Sequence, residues 1–414
     1  MAIISPFKAL RPKAELAAKL ASRPYDVLNS KEAKEEVTNN EISFLRVTKS
    51  EVDFPDDIDT HSMQVYEKAK ETLEQFIADG ILFREAKPCY YVYQLTMPAR
   101  AGSDGNGRSQ TGLVCGSAVA DYFNNIIKKH EYTRPEKELD RITHIKITRS
   151  QTGNVFMAYR DVAEINSIIS SWKNNHPAVY AFTADDTIQH SIWIIDDDQT
   201  NHSITEIFAQ KVPCTYIADG HHRAASAAKV STMYPDSADA KFFLTTLFPA
   251  SELAILDYNR IITDLNGLTN EEFLSKLNVE FEVEKLNEAF APNKPKQFGM
   301  YLDGLWYKLV SKDGTYTTDP IGILDISILS NNVFNKILNI KDQRTDKRID
   351  FVGGIRGLGE LEKRVNSGEM KLAFSFYPVS IEQLFNIADS GNVMPPKSTW
   401  FEPKLRDGLL THMI

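Results

Sequence analysis

The segment Tyr216-Ile217-Ala218-Asp219-Gly220-His221-His222-Arg223-Ala224-Ala225 joins two runs of opposite character. Val212 to Ile217 is β-branched and aromatic and predicts a buried strand. Ala224 to Val230 is alanine-rich and predicts a helix. Asp219-Gly220 is the turn between them. A helix N-terminus exposes unpaired N–H groups and a partial positive charge. His221, His222 and Arg223 place more positive charge at that end, which is unfavourable alone and favourable beside an anion such as a phosphate. Gly220 lets backbone approach a ligand closely. Two other readings compete. Asp219 is a good N-cap with the cations turned to solvent. His and Asp are also metal ligands, although adjacent histidines diverge on a helix and no HxxxH spacing is present.

Outward from this turn, the chain alternates strands and helices. Helices are expected at Ala14 to Ser22, Ser30 to Val37 and His61 to Asp79, the last from Val65, Ala69, Leu73, Phe76 and Ile77 at helical spacing. Phe44 to Val47 reads as a strand, Tyr90 to Thr96 as another, Ala101 to Gly112 as a turn-forming loop and Leu113 to Cys115 as the returning strand. A helix is expected from Ala118 through Ile127, ending in the basic run Lys128-Lys129-His130-Glu131-Tyr132-Thr133-Arg134. Further strands are expected at Ala178 to Phe182, Ser191 to Ile195, Phe242 to Phe248, Leu253 to Asp257 and Ala373 to Tyr377, with helices at Asp325 to Ile340 and Ile381 to Asp389. The pattern predicts an α/β (mixed α+β) protein. Residues 1–265 form the main catalytic region, 266–335 a smaller α/β insertion or subdomain, and 336–414 a C-terminal segment returning to the catalytic region.

The 414 residues carry 47 Lys+Arg against 56 Asp+Glu, a net charge of −9, which argues against a protein that coats nucleic acid. Three cysteines without a CxxC pair argue against a disulfide framework or structural zinc, and favour a reducing, cytoplasmic setting. No run of about 18 apolar residues predicts a membrane span. No GxxxxGK[ST], GxGxxG or GxSxG is present, so the common nucleotide cradles and the nucleophile elbow are absent.

Three further clusters carry charge. In Lys128 to Arg134, basic residues at a helix C-terminus complement its dipole, while His130, Glu131 and Arg134 lie beyond it and can line a site. Arg344-Thr345-Asp346-Lys347-Arg348-Ile349-Asp350-Phe351 alternates charge as a solvated surface does. Met394-Pro395-Pro396-Lys397-Ser398-Thr399 presents Lys397 on a stiff turn, suited to an anion or to an ordinary surface.

Taken together, the chain resembles the DUF1015 family nearly end to end. The segments are Pro6-Phe7-Lys8-Ala9-Leu10-Arg11-Pro12, Pro24-Tyr25-Asp26-Val27, Lys129-His130-Glu131 with Thr133-Arg134-Pro135, Tyr159-Arg160-Asp161, Asp219-Gly220-His221-His222-Arg223, Arg344-Thr345-Asp346 with Arg348-Ile349-Asp350-Phe351, and Met394 to Thr399. Arg23 stands where the family usually has a second proline. The DGHHR core is similar to the GxHR phosphate signature of the ParB/sulfiredoxin superfamily, which includes free-serine kinases. The resemblance implies a ParB/sulfiredoxin-like phosphate-binding core. It also implies transfer of a phosphoryl group from pyrophosphate, ADP or ATP, with Mg²⁺, to the hydroxyl of L-serine. Zinc, haem and flavin are not expected, and the partners are small molecules. In that reaction Gly220, His221, His222 and Arg223 hold donor phosphates, and Arg134, Arg348 and Lys397 neutralise the rest. Glu131 and Asp219 are candidate bases, and His221 is also counted among the catalytic groups. His130, Arg160, Asp161 and Asp26 are candidates for substrate binding, with Asp26 a third possible base. The competing functions are a ParB-like nucleic-acid-binding or regulatory protein, and an NTPase or phosphatase with water as acceptor.

Overall fold

Apolar β-branched segments between Ile4 and Pro249 pair into one sheet. The computed structural model describes residues 1–98 and 107–414. The chain divides into two units, Met1–Leu253 with Pro403–Ile414, and Ala254–Glu402.

In the first unit, nine strands form a mixed sheet. They are β1 (Ile4–Ser5), β2 (Tyr90–Met97), β3 (Arg108–Ala118), β4 (Ile127–Lys128), β5 (Val155–Tyr159), β6 (Tyr180–Thr183), β7 (Gln189–Ile195), β8 (Thr215–Asp219) and β9 (Phe242–Pro249). Their order is β4-β8-β5-β9-β3-β2-β7-β6, with β1 paired to β3. Both parallel pairs, β8 with β4 and β9 with β5, lie at the end of the sheet that carries the DGHHR strand. Helices α1 (Met63–Ala78), α2 (Pro135–Thr148), α3 (Ala163–Asn175), α4 (Asp198–Lys211) and α5 (His221–Met233) belong to this unit. Val155, Met157, Ile217, Ala224, Ala227, Ala228, Phe243 and Leu247 share its main core. Four buried alanines on α5 make a smooth face for close packing on the sheet.

In the second unit, six strands form a separate sheet: β10 (Tyr258–Ile262), β11 (Phe281–Leu286), β12 (Gln297–Leu302), β13 (Leu305–Ser311), β14 (Ile349–Gly353) and β15 (Leu372–Phe376), ordered β11-β13-β12-β15-β10-β14. Helices α6 (Asn270–Glu280), α7 (Leu358–Asn366) and α8 (Ile381–Asp389) accompany them. A core of Ile261, Tyr301, Trp306, Val352, Leu361 and Ala373 holds this sheet and α7 together.

Most expected elements form, and four differ in an instructive way. Phe44 to Val47 is not a strand: Leu45–Thr48 is a helical turn, with Phe44 and Val47 packed beside Leu20, Leu73 and Phe76. A short apolar run fits either structure, and the neighbouring core decides. The loop expected at Ala101 to Gly112 falls partly outside the described residues, but Arg108 to Gly112 is strand, paired with β2 from Met97↔Arg108 to Tyr93↔Gly112. Gly112 is there for close packing, since a Cβ would lie 2.7 Å from the Thr246 methyl and 2.8 Å from the Phe248 ring. The helix after Ala118 stops at Phe123, Asn125 turns with φ 57°, and Ile127–Lys128 is strand beside Thr215–Tyr216. Lys128 and Lys129 therefore do not close a helix. The expected boundaries at 265/266 and 335/336 also give way. Strands on both sides of them join one six-stranded sheet, and only Pro403–Ile414 returns to the first unit.

Candidate functional site

β8 runs between β4 and β5, with a bulge between Ile217 and Asp219. Gly220 then adopts φ 97°, ψ 31°, and α5 begins at His221. This left-handed conformation favours glycine. A Cβ there would also sit 3.1 Å from Arg223 Nε and 3.2 Å from its Cζ, because the arginine folds back over the turn. The first intrahelical bond is from the Ala224 N–H to the Gly220 carbonyl, at 3.0 Å. The N–H groups of His221, His222 and Arg223 thus precede the helical ladder, and no side chain caps this end. Asp219 is not the N-cap that its position suggests. Its carboxylate accepts instead from Arg223 Nη2 and Lys404 Nζ, both at 3.3 Å.

Arg223 is buried. It also donates to the Asn154 carbonyl and lies 3.9 Å from an Asp26 carboxylate oxygen. Burial opposes its charge, yet Asp26 and Asp219 raise its pKa further above the ordinary arginine value. Burial likewise pushes Asp219 up, but Lys404 and Arg223 win and hold it well below the usual carboxylate range.

The parallel pairing of β4 with β8 delivers His130 and Glu131 to the same turn. The His130 and His221 rings meet edge to face, with centroids 4.6 Å apart. Both are buried, and burial keeps both neutral: His130 falls to about 4, and His221 falls well below the ordinary value with His130 adding to the effect. The His130 peptide N–H donates to His221 Nε2 at 3.4 Å. A neutral imidazole that accepts at Nε2 carries its proton on Nδ1. That Nδ1 faces Glu131 Oε2 at 3.8 Å, and the Glu131 side chain is 61% exposed. His222 Nε2 accepts from the Arg134 N–H at 3.0 Å, and burial lowers its pKa too. The positive potential expected from three adjacent cations therefore comes from Arg223 and the helix end, not from the histidines.

Asp26, His130, Glu131, Asp219, Gly220, His221, His222, Arg223 and the Arg134 backbone thus converge. Asp161 does not join them: it accepts from the Ser251 N–H at 3.0 Å and from the Ser251 hydroxyl. Arg160 lies over the Tyr216 ring, 5.9 Å from its centroid. Arg348 and Lys397 belong to the second unit. Arg348 pairs there with Asp346 at 2.8 Å and donates to the Leu338 carbonyl at 3.0 Å, while Lys397, with φ 56°, has its ammonium 5.5 Å from the centre of the Tyr258 ring. The second unit also holds a polar cavity of about 560 Å³, whose walls include Asp342, Arg344, Pro395 and Pro396 from the two remaining motifs.

Lys404, Asp407 and Asn154 have no counterpart in the sequence-based set. Lys404 and Asp407 reach Asp219 and Arg223 from the far end of the chain, and no local pattern marks them. Among the described residues, no group of three or more His, Cys, Asp or Glu side chains could hold a metal ion, and no helix is long and apolar enough to cross a membrane.

A family model described as protein of unknown function (DUF1015) matches residues 4–327. No curated protein matches the sequence. Three similar solved structures have low identity. A point mutant of a free serine kinase in complex with AMP is 12% identical, with TM-score 0.38, and the match covers 76% of this chain and 94% of that one. A conserved hypothetical protein from Pyrococcus furiosus is 14% identical, with TM-score 0.36, covering 72% and 94%. A C-terminally truncated SbnI from Staphylococcus aureus is 10% identical, with TM-score 0.33, covering 70% and 84%.

Proposed function

We propose that this chain, which belongs to the DUF1015 family, is a phosphotransferase that moves a phosphoryl group to the hydroxyl of free L-serine. One observation carries the proposal: the end of α5 is left open for an anion. Asp219, the residue placed to cap it, is turned back onto Arg223 and Lys404. Gly220 adds no side chain of its own beside the folded-back Arg223, and the N–H groups of His221 to Arg223 precede the helical ladder. Such an end binds phosphate through N–H donors and the helix dipole. Arg223 adds a permanent charge behind it. Phosphoryl transfer needs positioning and charge neutralisation more than covalent chemistry, and these groups supply both.

The acceptor hydroxyl must lose a proton as it attacks, so a carboxylate is needed beside it. Glu131 fills that role better than Asp219. Asp219 is committed to two cations and held strongly acidic, which makes it a weak proton acceptor. Glu131 is exposed, and the Nδ1 proton of neutral His221 faces it. Asp26 lies on the Arg223 side and serves the cradle rather than the acceptor. Free serine as the acceptor follows from the motif resemblance, as do the donor candidates pyrophosphate, ADP and ATP. Arg134 is the proposed source of further positive charge in this unit, while Arg348 and Lys397, also expected to supply charge, lie in the second unit. Mg²⁺ would arrive on the donor phosphates, because this ion keeps several waters and needs only one or two protein carboxylates.

The test is ³¹P NMR of the purified protein with Mg²⁺ and L-serine, using each donor separately. An O-phosphoserine resonance with one donor supports the proposal and names the donor. Orthophosphate alone, independent of serine, supports a hydrolase instead. No turnover with any donor contradicts phosphotransfer to serine and directs attention to nucleic-acid binding.

A further inference from the structure

The segment Pro403–Ile414 lies beyond the residues matched by the family model, yet it is built into the first unit. Asp407 exchanges backbone hydrogen bonds with Ser22, at 2.9 and 3.1 Å, and Thr411 does so with Leu10, both at 2.9 Å. His412–Met413 then pairs with Ser150–Gln151. These contacts fix the Asp407 backbone from both directions.

That side chain is in an unusual position. Asp407 is 1% exposed, and no side chain among the described residues donates to either carboxyl oxygen, which leaves it a loose contact from the Tyr25 backbone N–H. It lies near Arg223 with Gly153 between them, where an added Cβ would meet Asp407 Oδ1 and Arg223 Cδ, each at 3.3 Å. A cavity of about 30 Å³, the size of a water or two, opens between Asp407, Arg223, Tyr25, Arg141, His144 and Gln151. A buried carboxyl with so little hydrogen bonding is costly when ionised, so such a group needs a reason to be there.

We infer that Asp407 is a positioning residue of the Arg223 cradle, which sets how much of the guanidinium charge remains for an anion at the Gly220 turn. The identity of that anion rests on the phosphotransfer reading. Arg223 faces Asp219, Asp26 and Asp407, and Asp219 is shared with Lys404. Arg141, the other cation on the cavity, is paired with Asp140 at 2.8 Å. Protonated Asp407 leaves Arg223 its charge and offers a hydrogen-bond donor. Ionised Asp407 adds a negative charge next to the guanidinium and weakens anion binding.

The remaining groups leave this titration to Asp407. Burial pushes its carboxyl up to about 8, with Arg223, Arg141 and the Tyr25 backbone N–H opposing and Asp26 reinforcing. His130, His144, His221 and His222 are all lowered below the ordinary histidine value by burial, and burial pushes Tyr25 to about 12. The folded value is raised, so the folded protein holds a proton that the unfolded chain releases. Stability from this group is full below the ordinary aspartate value and is lost as the pH rises through about 8.

The experiment compares the full-length protein with Asp407→Asn, measuring pyrophosphate Kd by calorimetry and melting temperature at pH 6 and pH 9. The donor's own ionisation is common to both proteins and cancels in the ratio. At pH 6 the two Kd values agree. At pH 9 the wild type binds about fivefold or more weakly than the variant, the low end of usual site–site coupling. The melting temperature of the variant relative to wild type also rises from pH 6 to pH 9. If Asp407→Asn does not fold, Asp407→Ser takes its place. Equal pH dependence of Kd in both proteins overturns the inference, as does a melting difference that ignores pH. Wild type that binds none of pyrophosphate, ADP and ATP contradicts the phosphotransfer reading instead, and the melting comparison still decides whether Asp407 holds the proton.

Discussion

Arg223 in the first unit and Arg260 in the second are both buried guanidinium groups, and their neighbours are opposite in kind. Arg223 is surrounded by Asp219, Asp26 and Asp407, beside an uncapped helix end, and its pKa is raised. Arg260 donates to the carbonyls of Tyr258 and Pro396 and to Gln343, and it packs against the rings of Phe351 and Phe376 at 4.9 and 5.3 Å. No carboxylate among the described residues accepts from it, and burial lowers its pKa to about 9. An arginine whose donors end on carbonyls ties loops together. An arginine held among acids at a helix end keeps a charge in readiness for an exchange of anions. Burial alone does not separate a site from a strut; the partners do.

The sharpest way to break this contrast is to remove Arg223. Arg223→Met should lower turnover by about a hundredfold or more, the cost of losing one preorganised charge at a transferring phosphoryl group. A variant that folds and turns over normally would make Arg223 a strut like Arg260. Glu131→Gln should cost a similar factor, roughly 10² or more in kcat, with little change in donor KM or melting temperature, since the side chain is exposed. A change in KM alone would assign Glu131 to binding rather than proton transfer. Gly220→Ala should destabilise the protein by about 1–2 kcal/mol through the left-handed backbone alone and should weaken donor binding as Arg223 is displaced. The smallest effect on activity belongs to Arg260→Met. Turnover per folded molecule should stay within about twofold, while stability falls by no more than about 3 kcal/mol, because two orphaned carbonyls are offset by relief of a buried charge.

The same contrast explains how much of the molecule was legible in the sequence. The strand, turn and helix of the DGHHR segment are contiguous, so residue type and spacing reveal them directly. His130 and Glu131 stand out as a charged cluster, but their place beside His221 depends on the parallel pairing of Ile127–Lys128 with Thr215–Tyr216. That strand was hidden in an apparently helical pattern, whose end at Phe123 is set by Asn125 in a left-handed conformation. The charge states were less legible still. Three adjacent basic residues suggest three cations, and only burial reveals that the histidines are neutral. Lys404 and Asp407 were invisible because their partners, Asp219 and Arg223, lie far away in sequence and only the threading of the C-terminus brings them together. Phe44 to Val47 shows the converse limit: four residues can serve either structure, and the core chooses.

The central claim is that the open end of the helix His221–Met233 is where phosphate binds. The most direct measurement is a pyrophosphate titration followed by backbone amide ¹H–¹⁵N shifts. Saturable shifts that are largest at Gly220, His221, His222 and Arg223, and lost in Arg223→Met, are the predicted result. Saturable binding that leaves those four amides unmoved would contradict the account.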